Sequence, residues 1–235
     1  VKPKVDYLVN DKETKSATAI QELHKANTQT STIIKILSAG LLGLKKNRRL
    51  VPTRWSITAV DDTISKNKLE KIKQYQEISE YLVFTAEYIG NHYEFLLIPD
   101  SFAFEVIEIS IKNHYNQSVW SDYETIFSRK KYAESVTGAY YANRLALTEY
   151  LESIKRQATC LVFREIRPQY YAPCGVGILR ETSREAFRNP PEKFNTLQEA
   201  LNSIQSRLKQ PVSNYTDKSV IMKMKKSQSK LNQFI

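Results

Sequence analysis

The sequence is poor in cysteine. Only Cys160 and Cys174 occur among 235 residues, which is too few for a disulfide framework, and their spacing does not match a zinc-ligand pair. This usage fits a protein of the reducing cytoplasm, and it predicts no metal site within the chain. Cys160 lies in an apolar, strand-like run, so we expect it to be buried in the core.

Long apolar runs are also missing. No stretch reaches the length that spans a bilayer, and no signal peptide is visible, so no membrane partner is predicted. The chain is nevertheless 41% hydrophobic and 11% aromatic. That composition suffices for one large domain or two small ones with a real core.

Acidic residues are scarce relative to basic ones. The chain has 35 Lys and Arg against 25 Asp and Glu, which gives a net charge of +10. Such an excess favours a polyanionic partner, nucleic acid above all, although it can also serve only solubility. Five lysines and no acids follow residue 217, so about half of the excess lies in the tail: Lys218, Lys223, Lys225, Lys226 and Lys230.

Hydrophobic periodicity predicts an α+β fold with a helical N-terminal portion, an antiparallel sheet packed with a long helix, and a flexible tail. Residues 1–78 form the helical segment and residues 79–210 the α+β domain. Residues 211–235 contain turn formers, hydroxyls and lysines with little periodicity, which indicates a basic linker that ends in a short peptide.

Within the α+β domain, the pattern predicts an antiparallel meander of three strands over residues 81–111, with a hairpin turn at Gly90-Asn91. A long helix follows over residues 135–157. Next come a central strand over 158–166 and its partner over 175–180. Thr196 and Glu199 are spaced as a capping box that opens the last helix.

The stretch from Arg48 to Asp62 concentrates groups that can contact a ligand. Trp55, Ile57 and Ala59 alternate with polar residues, which predicts a half-buried strand over 54–60. Asp61 or Asp62 would then cap a helix over 63–76. Whether the aspartates only cap and the arginines are only solvated, or whether the stretch is a site, is open at this level.

Three sequence blocks carry a family resemblance. The run RRLVPTRWSITAVDDTIS resembles the signature of the archaeal Nre family of DNA repair proteins, and looser agreement extends over GAYYANRLALTEYL and over REIRP, PCGVG and LRE. The resemblance covers about residues 45–184. It implies a DNA repair pathway more securely than a reaction. It also implies an upstream half with a cysteine-rich zinc segment. Because this sequence starts at Val1, we expect it to be a fragment or a processed chain.

The last eight residues form a second motif. Gln228, Leu231, Phe234 and Ile235 are spaced so that a tight helical turn brings them to one side. This spacing resembles the peptide that binds the sliding clamp PCNA, although that peptide ends in an aromatic residue where this chain has Ile235. The alternative is a tail that folds back onto its own domain.

Several arginines are candidates for contacting DNA. Arg48, Arg49, Arg54 and Trp55 form the first group. Arg167 and Arg180 belong to a mixed-sign cluster that forms either an ion-pair network or a phosphate-binding edge, because guanidinium groups suit phosphate oxygens.

Three functions follow from these candidates. The first is a DNA repair protein with a basic, DNA-contacting body that the sliding clamp recruits. The second is a metal-dependent enzyme acting on nucleic acid through Asp61 and Asp62 as metal or general-base carboxylates. The third is a clamp adaptor without DNA affinity of its own. No cofactor is evident in this chain, and the sequence does not decide whether it is catalytic.

Overall fold

A computed structural model describes residues 2–111, 118–170 and 175–231, with side chains described as far as residue 227. In this part of the chain, nine helices and six strands form. The helices are α1 Pro3–Asn10, α2 Ser16–Lys25, α3 Thr30–Ser38, α4 Thr53–Ile72, α5 Thr137–Ile154, α6 Val176–Arg188, α7 Leu197–Arg207, α8 Ser213–Thr216 and α9 Val220–Leu231. The strands are β1 Tyr81–Tyr88, β2 Asn91–Ile98, β3 Ala103–Ser110, β4 Val119–Glu124, β5 Thr159–Ile166 and β6 Glu192–Phe194.

The strands form one mixed sheet in the order β4-β3-β5-β2-β1-β6. The predicted α+β class and the β1–β2 hairpin are confirmed. The turn lies one residue earlier than predicted, at Ile89 and Gly90, which both have positive φ, and Asn91 begins β2. The predicted antiparallel meander is wrong in one respect. Strand β5 lies between β2 and β3 and pairs parallel with β3, with Val106 opposite Val162. A parallel pair requires a long crossover, and β4 and α5 supply it.

Helices cover both faces of the sheet. On one face, α5 and α6 pack against a core that includes Phe84, Phe95 and Val162. On the other face, α7, α8 and α9 pack against Leu96 and Leu161. Successive side chains of a strand point to opposite faces of the sheet. Because helices cover both faces, every residue of β2 is buried.

The N-terminal helices form a third core. Helices α1, α2 and α3 bury Leu8, Leu23 and Ile33 against α4, with Ile64 and Leu145 completing the cluster. This core joins α4 to the middle of α5 and so positions the basic stretch that precedes α4. Among the described residues, no helix combines the length and apolarity needed to cross a bilayer.

Residues 54–60 form the start of helix α4 and not the predicted strand. Trp55 and Ala59 are exposed, whereas Ser56, Thr58 and Val60 are buried. The apparent alternation arises because the buried face of this helix contains hydroxyl residues. Asp61 therefore lies within the helix and caps nothing.

Two further segments are also helical where other structures were predicted. Residues 176–188 form α6 instead of a strand paired with β5. The predicted linker contains α8 and α9, with Tyr215, Ile221 and Met222 buried. By contrast, the long helix α5, the central strand β5, the capping box of Thr196 and the burial of Cys160 agree with the predictions.

Candidate nucleic-acid interface

The arginines before α4 have different environments. Arg48 is half-buried, and its guanidinium donates to the carbonyl oxygens of Gly43 at 2.8 Å, Val9 at 2.7 Å and Asp11. It therefore fixes the turn before α4 against the end of α1. Arg49 and Arg54 are exposed. These two guanidinium groups remain accessible to a ligand.

The N-terminus of α4 lies between the two exposed arginines. Pro52 occupies the cap position, and no side chain among the described residues caps the helix. The first N–H groups of a helix have no intrahelical partners, and the helix dipole makes this end partly positive. A backbone phosphate is a suitable ligand for such an end.

An open groove of about 280 Å³ adjoins this end of α4 and includes Arg54 in its lining. Its most exposed rings belong to Trp55, 56% exposed, and Tyr132, 46% exposed. Their centroids are 6.4 Å apart, and their planes differ by 11°. The groove is lined by Arg54, Trp55, Thr58, Tyr132, Thr137, Gly138 and Val176.

The exposed rings are the outer end of an aromatic series that extends into the core. Tyr132 contacts Tyr141 with centroids 4.9 Å apart, and Tyr141 meets Tyr140 edge-to-face at 5.2 Å. The hydroxyl of Tyr132 donates to Oγ1 of Thr58 at 2.6 Å. The floor of the groove is therefore held by packing and by a hydrogen bond.

Arg144 anchors this series from below. Its guanidinium lies 5.4 Å from the ring centre of Tyr140. It donates to both carboxylate oxygens of Glu124 at 3.1 Å, to Oγ of Ser65 at 3.1 Å, and to Asp62. Glu124 and Arg144 are both almost fully buried. One arginine thus connects α4, β4 and α5 beneath the groove.

Asp61, the first catalytic candidate, lies in a neighbouring ion pair. Its two oxygens accept from Nη1 of Arg180 at 2.8 and 3.1 Å. Burial raises the pKa of Asp61 to about 6, while the charge of Arg180 acts in the opposite direction. A carboxyl group with such a pKa suits general acid–base work near neutral pH. However, Asp61 has no exposed surface.

Comparison with known proteins identifies the family. Residues 1–121 match the family described as archaeal Nre, N-terminal, and residues 124–234 match archaeal Nre, C-terminal. The chain belongs to the archaeal Nre family. This confirms the resemblance found in the sequence. No solved structure matches the chain significantly.

Three curated relatives are similar to this Nre chain. DNA repair protein NreA of Archaeoglobus fulgidus is 39% identical over 202 residues, covering 83% of this chain and 50% of the relative. DNA repair protein NreB of the same organism is 38% identical over 228 residues, covering 93% and 56%. DNA repair protein NreA of Haloferax volcanii is 35% identical over 206 residues, covering 83% and 48%. The chain therefore spans about half the length of these relatives.

The remaining arginine candidates of this Nre chain lie in ion-pair networks. Arg167 is buried and donates to Glu165 at 2.8 Å, to Glu87, and to the carbonyl oxygen of Arg207 at 2.8 Å. Arg180 is also buried and pairs with Asp61. This geometry favours the ion-pair alternative over a phosphate-binding edge, so neither arginine belongs to the interface at α4.

Asp62 and Cys160 differ in their surroundings from an activated catalytic group: the first is ion-paired and the second is buried. Asp62 pairs with Arg144 and, at 2.8 Å, with Lys66. Burial raises the pKa of the Cys160 thiol, and Cys174 lies outside the described residues. Within the described ranges, no three His, Cys, Asp or Glu side chains cluster as they would to hold a metal.

The structure does not describe the clamp-binding candidates. Helix α9 extends to Leu231, but the side chains of Gln228 and Leu231 and the whole of Phe234 and Ile235 lie outside the description. Arg49, Arg54 and Trp55 are among the candidates predicted from the sequence, whereas Tyr132 is not. Its signal in the sequence is its position at the end of an aromatic-rich segment that precedes the predicted long helix.

Proposed function

We propose that this Nre chain acts in DNA repair, that its basic body contacts the DNA backbone at the start of α4, and that its C-terminal peptide binds the sliding clamp PCNA. The three relatives are named DNA repair proteins, which supports the repair pathway. The net charge of +10 supports a polyanionic partner. The chain spans only part of those relatives, so activity and partners are proposals.

The arrangement around α4 carries the DNA-contacting part of this proposal. Arg49 and Arg54 are exposed on either side of the α4 N-terminus, which none of the side chains that the structure describes caps, and Trp55 adjoins them. Phosphate contacts from arginine and from helix N-termini give affinity without reading sequence. We therefore expect binding that depends on salt and depends little on DNA sequence.

Arg49→Ala and Arg54→Ala should each weaken DNA binding and reduce the slope of log K against log salt concentration by about 1, because each removes one phosphate contact. Fluorescence anisotropy with a labelled duplex at several salt concentrations measures this slope.

Arg156→Ala is the matched control for that titration. Arg156 is exposed and lies just beyond the C-terminus of α5, whereas Gly138 of the groove lies at its other end, about 27 Å away along the helix. Equal salt-dependence slopes for Arg49→Ala, Arg54→Ala, Arg156→Ala and the unchanged chain would contradict the proposed interface. A chain that binds the clamp but shows no DNA affinity would instead establish the adaptor function.

The clamp-binding part depends on the spacing of Gln228, Leu231, Phe234 and Ile235. Phe234→Ala should weaken binding to the clamp by ~30-fold, since loss of a buried aromatic anchor typically costs about 2 kcal/mol. Calorimetry of the whole chain with the purified clamp measures this change.

Asn232→Ala serves as the control within the same peptide, because position 232 falls between the apolar anchors. It should leave clamp affinity unchanged. Equal losses in Asn232→Ala and Phe234→Ala, or no heat with the intact chain, would contradict clamp recruitment through this peptide.

A further inference from the structure

We propose that Trp55 and Tyr132 form a stacking site for an unpaired nucleobase, so that the preferred ligand is DNA with single-stranded character. This inference rests on the proposed DNA-binding function and names its substrate class. It adds Tyr132, Thr58 and the groove between α4 and α5 to the interface. The phosphate contacts of Arg49 and Arg54 do not require it.

The exposure of the two rings is the first argument. Trp55 and Tyr132 leave 56% and 46% of their surfaces in water, although a core lies directly behind them. Burial of aromatic surface is favourable, so leaving two adjacent rings exposed forgoes stabilisation. A ligand with a flat apolar face would recover it.

Tyr132, the inner ring of the pair, is held in place. Tyr132 is fixed by its hydrogen bond to Thr58 and by its contact with Tyr141. The N–H of Ala133 donates at 3.0 Å to the hydroxyl of Tyr141, so the next ring of the series is also held. A ligand that stacks on a fixed platform does not have to pay for ordering it.

The orientation of the rings and the nearby charge select the ligand. The planes of Trp55 and Tyr132 differ by 11°, so a planar group that stacks on Trp55 lies nearly parallel to both rings. Arg54, which also lines the groove, places a cation where the phosphate beside such a base would lie. A nucleobase within a DNA strand supplies the planar ring and the adjacent negative charge together.

The same geometry disfavours intact duplex as the ligand of the groove. Bases in a duplex are stacked on their neighbours, and exposing one face requires unpairing or flipping. Single strands, gaps and frayed ends offer that face at little cost. Stacking on aromatic side chains is also tolerant of base identity, so little sequence preference is expected.

Tryptophan fluorescence tests this inference directly. The chain has two tryptophans, and Trp120→Phe leaves Trp55 as the only one. Titration of this variant with a thymine oligonucleotide should quench the emission of Trp55, and a blunt duplex of the same length should quench it far less. Equal quenching by the two ligands, or none by either when both bind, would overturn the inference.

Affinity measurements are a second test of the stacking site. Trp55→Ala should weaken binding of the thymine oligonucleotide by about 5-fold to 100-fold, and Trp55→Phe should retain most of it. Trp120→Ala is the matched control, because Trp120 is 40% exposed on strand β4 and lies outside the groove. Tyr132→Ala should behave like Trp55→Ala.

The two proposals fail in different ways. Duplex binding that depends on Arg49 and Arg54, without preference for single strands and without an effect of Trp55→Ala, would overturn the stacking site and leave the proposed DNA-binding function intact. Absence of binding to either DNA at low salt would overturn the proposed function, and the stacking site with it.

Discussion

Replacement of Arg144 by methionine is expected to lower the free energy of unfolding by about 3–5 kcal/mol. The methionine fills much of the space but leaves the carboxylate of Glu124 buried without its guanidinium partner. Asp62 and Ser65 each lose one donor as well. For a chain of this size the loss corresponds to a decrease in Tm of about 6–20 °C. Denaturant unfolding followed by circular dichroism measures it.

Two further variants show whether the unpaired carboxylate is the cause. Arg156→Met removes an exposed arginine just beyond the same helix and should change stability by no more than about 0.5 kcal/mol. Arg144→Met combined with Glu124→Gln should be more stable than Arg144→Met alone, because no buried charge is then left uncompensated. A double variant less stable than Arg144→Met would contradict this explanation.

The position of Arg144 shows what local sequence can predict. The long helix α5 follows from its own apolar periodicity, and so do β1, β2 and β5. The partners of Arg144 lie 20 and 82 residues away in the sequence. These contacts form only when α4, β4 and α5 pack together. The hydrophobic periodicity of a single segment carries no information about that packing.

The first part of helix α4, residues 54–60, was predicted wrongly as a strand, whereas the helix predicted from residue 63 agrees with its later part. Apolar residues at 55, 57 and 59 fit a strand, yet the helix buries Ser56, Thr58 and Ser65 and leaves Trp55 exposed. The hydroxyls of Thr58 and Ser65 are accommodated on this buried face by donating to carbonyl oxygens one turn earlier, that of Ser65 to Asp61 at 2.8 Å. Apolar pattern alone could not reveal this.

Helix α9 was not predicted because the group that caps its N-terminus is distant in the sequence. Glu105 of β3 accepts from Oγ of Ser219 at 2.6 Å and from the N–H groups of Val220 and Ile221 at 2.9 and 3.1 Å. It therefore caps α9 from a position more than a hundred residues earlier in the sequence. A capping box can be read from sequence, as at Thr196, but a cap supplied by a distant strand cannot.

The candidate interface was only half predictable. The exposed pair of Arg54 and Trp55 stood out because the stretch from Arg48 to Asp62 concentrates arginines, hydroxyls, aspartates and a tryptophan that can contact a ligand. Tyr132 lies 77 residues later in an irregular segment, and only the packing of α5 against α4 brings it to the groove. The stacking site is therefore a product of tertiary structure.

Asp61→Asn is expected to change how stability depends on pH. Burial raises the pKa of Asp61 from 3.8 to about 6, so the folded chain binds this proton more tightly than the unfolded chain does. The protonated carboxyl therefore contributes stability that is fully present below about pH 4 and is lost as the pH rises through 6. A pKa shift of this size corresponds to a free-energy difference of roughly 3 kcal/mol.

Asparagine at position 61 is neutral at every pH, so this contribution is absent from the variant. The difference in unfolding free energy, Asp61→Asn minus wild type, should increase by roughly 3 kcal/mol between about pH 3 and about pH 7. Denaturant unfolding of both proteins at several pH values measures the difference, and all other titrating groups cancel from it. A difference that stays constant with pH would show that Arg180 holds Asp61 ionised throughout. Asp61 would then be a permanently charged member of the ion pair with Arg180 and would not titrate near neutral pH.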